Sequence, residues 1–310
     1  MKLLISVPCY NEELLIEKTI KKLPREIEGF EEVKILVIDD GSTDKTADIL
    51  KTLDIDIYFR FEKNVGLAKV FEKSLSIAKK NDFDVMVNFD ADNQYPEEKI
   101  VDLCRPILEQ KTNYCIGSRN FNNAKDFSPI KIFLQKIGNK IFSYILFKNT
   151  KEIRDFTSGF RALHKSLYDK LEFYSTYSYT VESIVQLYYL NEKIFQIDIN
   201  TNSVPRPSRL VNSNFDFIIK QTITLIKILV IHNPLQIFLK TSFLFLLISF
   251  LIFLRYFFFF FQGSGSDHIA SLIAGSIIFT LSIFCLLIGL ISDQILSLKK
   301  IIEKLKSRNE

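Results

Sequence analysis

Two long apolar stretches near the carboxyl end constrain this chain more than anything else in it. Residues 241–261 read TSFLFLLISFLIFLRYFFFFF, with Arg255 as the one charge, and residues 269–292 read IASLIAGSIIFTLSIFCLLIGLIS, with none. Each is long enough to span a bilayer as a helix. The other way to bury such a stretch is in a protein core, but most helices of water-soluble domains keep one polar face, and these have none. Only residues 262–268, QGSGSDH, separate the two, so a transmembrane hairpin is expected. Lys220, Lys227 and Lys240 precede the first span, and Lys299, Lys300, Lys304, Lys306 and Arg308 follow the second. The excess of cations on that side predicts that both termini, and everything before residue 241, are cytoplasmic. Arg255 lies near the outer end of its span, where its long side chain can snorkel to the headgroups as an anchor.

The rest of the chain is ordinary in composition. Of 310 residues 47% are apolar and 25% charged, which excludes disordered, collagen-like and disulfide-scaffold classes. A net charge of +4 does not point to nucleic acid but suits phosphorylated ligands and an anionic membrane face. Cys9, Cys104, Cys115 and Cys285 form no C-x-x-C pair and have no histidine at metal spacing, so reduced cysteines are expected. Residues 3–7, closed by Pro8, are too short for a secretory signal and read as a first strand. Apolar residues at helical spacing over 210–240, mixed with Lys220, Lys227 and His232 and broken at Pro234, predict helices at the membrane interface; a peripheral helix packed on the soluble domain is compatible with the same pattern. The expected organisation is a catalytic domain over 1–209, interfacial helices over 210–240, two spans within 241–292 and a basic tail over 293–310.

Within the first part, strand-like runs at 3–7, 33–38, 55–61, 85–89 and 114–117 alternate with amphipathic helical patterns at 13–23, 43–53, 67–79 and 97–109. Such a βαβ succession demands a mostly parallel sheet with helices on both faces, and ligands of such sheets sit beyond the carboxyl ends of the strands. Residues 120–128 are polar and read as a loop. No G-x-G-x-x-G follows the first strand and no P-loop signature occurs anywhere.

Carboxylates stand at three of those strand ends: SVPCYNEE over 6–13, VIDDGSTD over 37–44 and NFDADNQ over 88–94. Singly, each could be a turn and a helix start. Asp90 and Asp92, however, place two carboxylates on one loop with no cation between them. Like charges held together there call for a metal or a cationic ligand, and hard oxygens suit Mg²⁺ or Mn²⁺ with a diphosphate completing the shell.

Together with NVG at 64–66, GSR at 117–119, DFTSGFR at 155–161 and the basic VPRPSR at 204–209, these motifs resemble family 2 glycosyltransferases of the dolichol-phosphate mannosyltransferase-like type. More specifically, they resemble bacterial polyprenyl-phosphate glycosyltransferases with a two-helix anchor, and the resemblance extends over essentially the whole chain. Pro207 departs from a glycine common in that last motif. The resemblance implies the GT-A fold, and it implies that Pro8, Tyr10, Glu12, Ile38 and Asp40 line the nucleotide, with Tyr10 against the base. It places the donor at Asp90, Ala91 and Asp92, the metal on Asp92, Gln94 and Asp90, and Arg119 on the donor diphosphate. Ser158, Arg161, Arg206 and Arg209 are implied to face the bound phosphates, including that of a lipid acceptor, with Arg206 also reaching the donor. Two readings of single residues stay open: Tyr10 as a core tyrosine, and Arg161 as a structural partner of Asp155. His164, His232 and His268 match no motif.

The expected reaction is inverting transfer of a sugar from a UDP-glucose-type or GDP-mannose-type donor to polyprenyl phosphate. Arg119 and Arg161 would act in catalysis, and Asp155 would be a base or an orienter. The implied partners are the nucleotide sugar, the lipid phosphate and the bilayer, and the resemblance leaves room for a second copy of the chain and for a flippase of lipid-linked sugars. A processive polysaccharide synthase would need a Gln-x-x-Arg-Trp motif, and this chain has no Trp. A non-catalytic nucleotide-binding membrane adaptor, or transfer to another membrane acceptor, are the alternatives.

Overall fold

The structure, a computed structural model, describes residues 1–120, 138–140, 153–174, 179–202 and 214–309. Seven strands form one sheet: β1 (Lys2–Cys9), β2 (Glu32–Asp39), β3 (Ile57–Arg60), β4 (Val85–Asn88), β5 (Tyr114–Arg119), β6 (Arg161–His164) and β7 (Ile194–Ile199), in the order β3-β2-β1-β4-β6-β5-β7. All pairs are parallel except those of β6, which runs antiparallel between β4 and β5. One register row crosses the sheet as Ile35, Ile5, Val87, Ala162, Cys115 and Phe195. Every residue of β1 from Leu3 to Cys9 is buried, so both faces of the central strand are covered, as a parallel sheet requires.

The covering helices carry the expected apolar stripes. They are α1 (Ile16–Lys22), α2 (Thr46–Leu50), α3 (Leu67–Lys80), α4 (Lys99–Leu108) and α5 (Tyr179–Tyr189). In α3, Val70, Phe71, Ser74, Leu75 and Ala78 face inward at spacings of one, three and four, while Lys79 and Lys80 complement the negative end of the helix. The five expected strands and four expected helices are all present, within a few residues of their expected ends. Strands β6 and β7 and helix α5 come in addition. The chain turns outward in opposite directions from β1 and β4, which makes a topological switch point, and a crevice outside the carboxyl ends of those strands is where such sheets hold ligands.

The chain divides into two compact units, Met1–Leu225 and Ile226–Glu310. Helix α6 (Asn214–His232) contains that boundary, and Pro234, at the first turn of the next helix, separates the two helices. The second unit is a helical hairpin of α7 (Pro234–Phe261) and α8 (Ile269–Asn309). Both helices outrun the expected spans: α7 takes in residues 234–240 and α8 continues through the basic residues after 292. Only 11% and 17% of their most apolar windows are buried, so they are not core helices of a water-soluble fold. This is a membrane protein. The hairpin is knitted by small and hydroxyl residues, as bilayer packing favours. Ser282 Oγ lies 2.8 Å from the Ser242 carbonyl, Ser249 Oγ donates to the Gly275 carbonyl at 2.9 Å, and a Cβ on Gly289 would fall 2.7 Å from Phe238 Cβ.

That last contact cannot be relieved by turning a side chain. Gly289→Leu is therefore expected to lower the melting temperature in detergent by several degrees, on the scale of about 1–3 kcal/mol for overpacking, while Ile291→Ala, outward-facing on the same helix, leaves it nearly unchanged. Equal melting of the two variants would mean that the hairpin is not packed as described.

Candidate active site

The loop after β1 begins with Tyr10, 39% exposed, and then Asn11 in the left-handed region at φ 55°. That turn aims the Asn11 side chain at the loop after β2. Its Oδ1 accepts from the Thr43 N–H at 2.8 Å, and its own N–H donates to Ser42 Oγ at 2.9 Å. Thr46 Oγ1 accepts from the Glu12 N–H at 2.7 Å and Glu13 accepts from the Lys45 N–H, so the two loops are zipped together. Pro8 and Ile38 are register partners in β1 and β2, both buried, and form the floor beneath.

The acidic doublet divides its work. Asp39, fully buried, accepts from the Ser42 N–H and pairs with Arg60 at 3.2 Å. Asp40 turns to a third loop, its oxygens accepting from the N–H groups of Val65 at 2.7 Å and Gly66 at 3.0 Å. Burial raises its carboxyl above the ordinary range even against those two bonds. Gly41, at φ 73°, permits the approach: a Cβ there would lie 2.6 Å from the backbone of Lys63. Asp40 is thus placed as a clamp on the NVG loop, whereas the sequence reading had it lining the nucleotide.

The loop after β4 carries Asp90, Ala91, Asp92 and Gln94. Asn93 takes the left-handed conformation at φ 57°, and Asp92 Oδ1 accepts from the Gln94 N–H at 3.1 Å. Thr19 Oγ1 donates to the Ala91 carbonyl at 2.8 Å, and Asn202 donates through its side chain to the Asn93 carbonyl and through its backbone to that of Gln94. Burial, with Asp92 adding like-charge repulsion, raises the Asp90 carboxyl well above the usual range. Among the described residues no three acidic, histidine or cysteine side chains converge to hold a metal unaided. Asp90 and Asp92 are two hard-oxygen groups under mutual repulsion that a cation relieves, which fits a divalent ion taking part of its shell from a ligand.

Opposite them, β5 ends in Arg119. Its Nε donates to Asp155 Oδ2 at 2.7 Å, its Nη2 to Asp155 Oδ1 at 3.0 Å and to Thr157 Oγ1 at 2.7 Å. Asp155 is fully buried and the Arg119 side chain is 12% exposed, so this is a fixed two-point ion pair. Of the two roles expected of Asp155, base or orienter, the geometry favours the second: its carboxylate is engaged by the Arg119 guanidinium and by the Thr157 N–H.

Two further expectations are corrected. Arg161 does not face a phosphate: it is 0% exposed, and its guanidinium donates to the carbonyls of Phe156, Ser158 and Thr180 and to the hydroxyls of Tyr114 and Ser183. Nor does it pair with Asp155. Ser158 is equally buried, its hydroxyl donating to the Gly117 carbonyl at 2.6 Å. Arg161 opens β6, Ser158 lies in the turn before it, and both side chains are consumed in buried scaffold contacts. Arg206 and Arg209, with the loop over 121–128, lie outside the described residues. Asn11, Asn88, Thr157 and Asn202 went unnoticed in the sequence; Asn11 alone left a trace, an asparagine at a strand end where left-handed backbone is common.

Residues 4–172 match the family described as Glycosyl transferase family 2. The chain belongs to that family and is a glycosyltransferase. It is 30% identical over 177 residues to the UDP-N-acetylglucosamine–dolichyl-phosphate N-acetylglucosaminyltransferase of Methanococcus voltae, covering 52% of this chain and 68% of that one. It is also 30% identical over 176 residues to the dolichol-phosphate mannosyltransferase of Pyrococcus furiosus, covering 56% of this chain and 49% of that one. The matches thus span from 49% to 68% of these relatives' length. In fold it resembles glucosyl-3-phosphoglycerate synthase of Mycobacterium tuberculosis, solved with Mn²⁺, UDP-glucose and phosphoglyceric acid, at 18% identity and a TM-score of 0.57 over 74% of this chain and 78% of that one.

The Arg161 cluster yields a direct test. Arg161→Ala removes donors from five buried acceptors, a loss of the order of 3–5 kcal/mol for a buried charged network. Thermal unfolding is expected to shift down strongly, with nucleotide binding by the folded fraction retained. A variant as stable as the parent but unable to transfer sugar would return Arg161 to the reaction.

Proposed function

We propose that the chain transfers a sugar, with inversion, from a nucleotide-diphosphate sugar to polyprenyl phosphate at the cytoplasmic face of the membrane. The observation that carries this reading is the pairing, at one sheet edge, of a carboxylate loop, Asp90 to Gln94, with a guanidinium, Arg119, held rigid by a buried partner. A nucleotide diphosphate needs both. The bilayer hairpin on the same chain, and relatives named for dolichyl and dolichol phosphate, support a lipid phosphate as acceptor. The lysines flanking the hairpin support the cytoplasmic side.

The geometry supports the following roles. Tyr10, exposed at the strand end, offers its ring to a base. The zipped loops around Asn11 and Asp40 shape the nucleotide seat without moving. Asp90 and Asp92, with Gln94, would hold Mg²⁺ or Mn²⁺, and the ion when bound supplies charge neutralisation to the departing diphosphate. Arg119 lends a fixed positive charge to the same oxygens, kept in place by Asp155 so that no reorganisation is needed as negative charge develops. The acceptor's phosphate oxygen attacks the anomeric carbon from the face opposite the leaving group. A phosphate monoester is largely ionised near neutral pH, its second pKa being about 6, so no protein base is required. That agrees with Asp155 being committed to Arg119.

Asp92→Asn keeps the shape and removes one ligand charge. Transfer, followed as release of nucleoside diphosphate, is expected to fall at least a hundredfold with unchanged melting. EDTA should abolish wild-type turnover and added Mn²⁺ restore it. Undiminished rates in EDTA would dismiss the metal assignment.

A further inference from the structure

Asp90 is seated against backbone, and the seat is a glycine. A Cβ built on Gly159 would fall 2.7 Å from Asp90 Oδ2 and 2.9 Å from Oδ1, distances that real Cβ atoms essentially never show. The carboxylate therefore rests directly on the Gly159 α-carbon, and its position depends on where that backbone is held.

Three buried side chains hold it. The Gly159 N–H donates to the Tyr95 hydroxyl at 2.9 Å, and the Gly159 carbonyl accepts from Asn88 Nδ2 at 3.0 Å and from the Tyr179 hydroxyl at 3.0 Å. Tyr95 and Asn88 are 1% exposed and Tyr179 is fully buried. One of the three also serves Asp90 itself: Asn88 Nδ2 reaches Asp90 Oδ1 at 3.2 Å.

The arrangement is kept at some expense. Asn88 Oδ1 is buried with no hydrogen-bond partner. Turning the amide over would set its oxygen against the Gly159 carbonyl and the Asp90 carboxylate, losing two bonds. The amide is fixed in the one orientation that serves both, and an orphaned acceptor costs about 1–3 kcal/mol. Unsatisfied buried groups of this kind gather where geometry matters more than stability.

We propose that Gly159 is the seat of the Asp90 carboxylate and that Tyr95 is a positioning residue for it, fixing through Gly159 the first carboxylate of the Asp90–Asp92 pair for a divalent cation. This rests on the metal-dependent transfer proposed above. Position 159 then admits no side chain for a reason other than backbone conformation, since Gly159 is not among the positive-φ glycines. Tyr95 matters through its hydroxyl, while its ring serves the core by stacking on Phe160 at 5.1 Å and meeting Phe89 edge-on.

Tyr95→Phe separates the two functions, because it keeps the ring and removes the hydroxyl. With the full-length protein in detergent, free Mn²⁺ is followed by electron paramagnetic resonance at fixed UDP, and again at fixed GDP. The variant is expected to bind Mn²⁺ about tenfold more weakly, the scale of losing a partner that orients a ligand. Its kcat at limiting Mn²⁺ should fall in step and recover when Mn²⁺ is raised about tenfold, with KM for the nucleotide sugar little changed and the melting temperature lowered by the few degrees that an orphaned Gly159 N–H costs. Gly159→Ala should weaken Mn²⁺ binding further still. Wild-type Mn²⁺ affinity in Tyr95→Phe overturns the inference and leaves the transfer reaction standing. A loss of activity that extra Mn²⁺ does not restore makes Tyr95 structural only and also overturns it. A wild-type protein that binds no Mn²⁺ and transfers sugar in EDTA removes the metal reading and the inference together.

Discussion

A carboxylate taken fully out of water must be neutralised or paired, and Asp155 is paired with Arg119 at two points. Much of the site hangs from that ion pair. It ties the end of β5 to the turn that precedes β6, and the seven residues 155–161 then serve three neighbours in succession. Asp155 and Thr157 hold Arg119, Ser158 bonds the β5 backbone at Gly117, and Gly159 carries Asp90. Arg161 fastens the turn from beneath through the carbonyls of Phe156 and Ser158. The stretch brings a guanidinium and a carboxylate loop to the same end of the strands, with Arg119 held by the Asp155 carboxylate.

The nucleotide side is built on the same logic of committed groups. Asp39 is given to Arg60 and the Ser42 N–H, Asp40 to the backbone of Val65 and Gly66, and Asn11 to the loop after β2. Asp40, which reads as a nucleotide contact in the sequence, is spent on joining loops, and Tyr10 beside them is exposed. A site whose loops are hydrogen-bonded to one another needs little rearrangement when charge develops, which is the condition for strong electrostatic stabilisation of a leaving group.

Much of this was legible in the sequence, and the reasons are physical. Parallel strands buried on both faces are continuous apolar runs, so β1, β2 and β4 were visible, and the amphipathic stripe of α3 marked its helix. The hairpin announced itself by length. What escaped was whatever depends on tertiary partners. Strand β6 is four residues beginning with a charged one, Arg-Ala-Leu-His, and nothing local says that Arg161 is buried. The same holds for Ser158 and for the division of labour between Asp39 and Asp40, since a motif shows which polar residues cluster but not which of them are consumed in holding the others. Asn88 and Gly159 acquire meaning only when β4 and the turn before β6 lie side by side.

The hairpin is long and apolar enough for a bilayer, and the catalytic unit is proposed to seat a diphosphate; the proposal that joins them is that the acceptor is a lipid phosphate. The most direct measurement is the mass of the lipid recovered after the full-length protein, in vesicles containing polyprenyl phosphate and Mg²⁺, is given a panel of UDP- and GDP-linked sugars. The account predicts that with at least one donor the polyprenyl phosphate gains the mass of a single sugar residue and that the nucleoside diphosphate is released in equal amount. Nucleoside diphosphate released while the polyprenyl phosphate keeps its original mass, with the sugar found on a water-soluble acceptor, would contradict it.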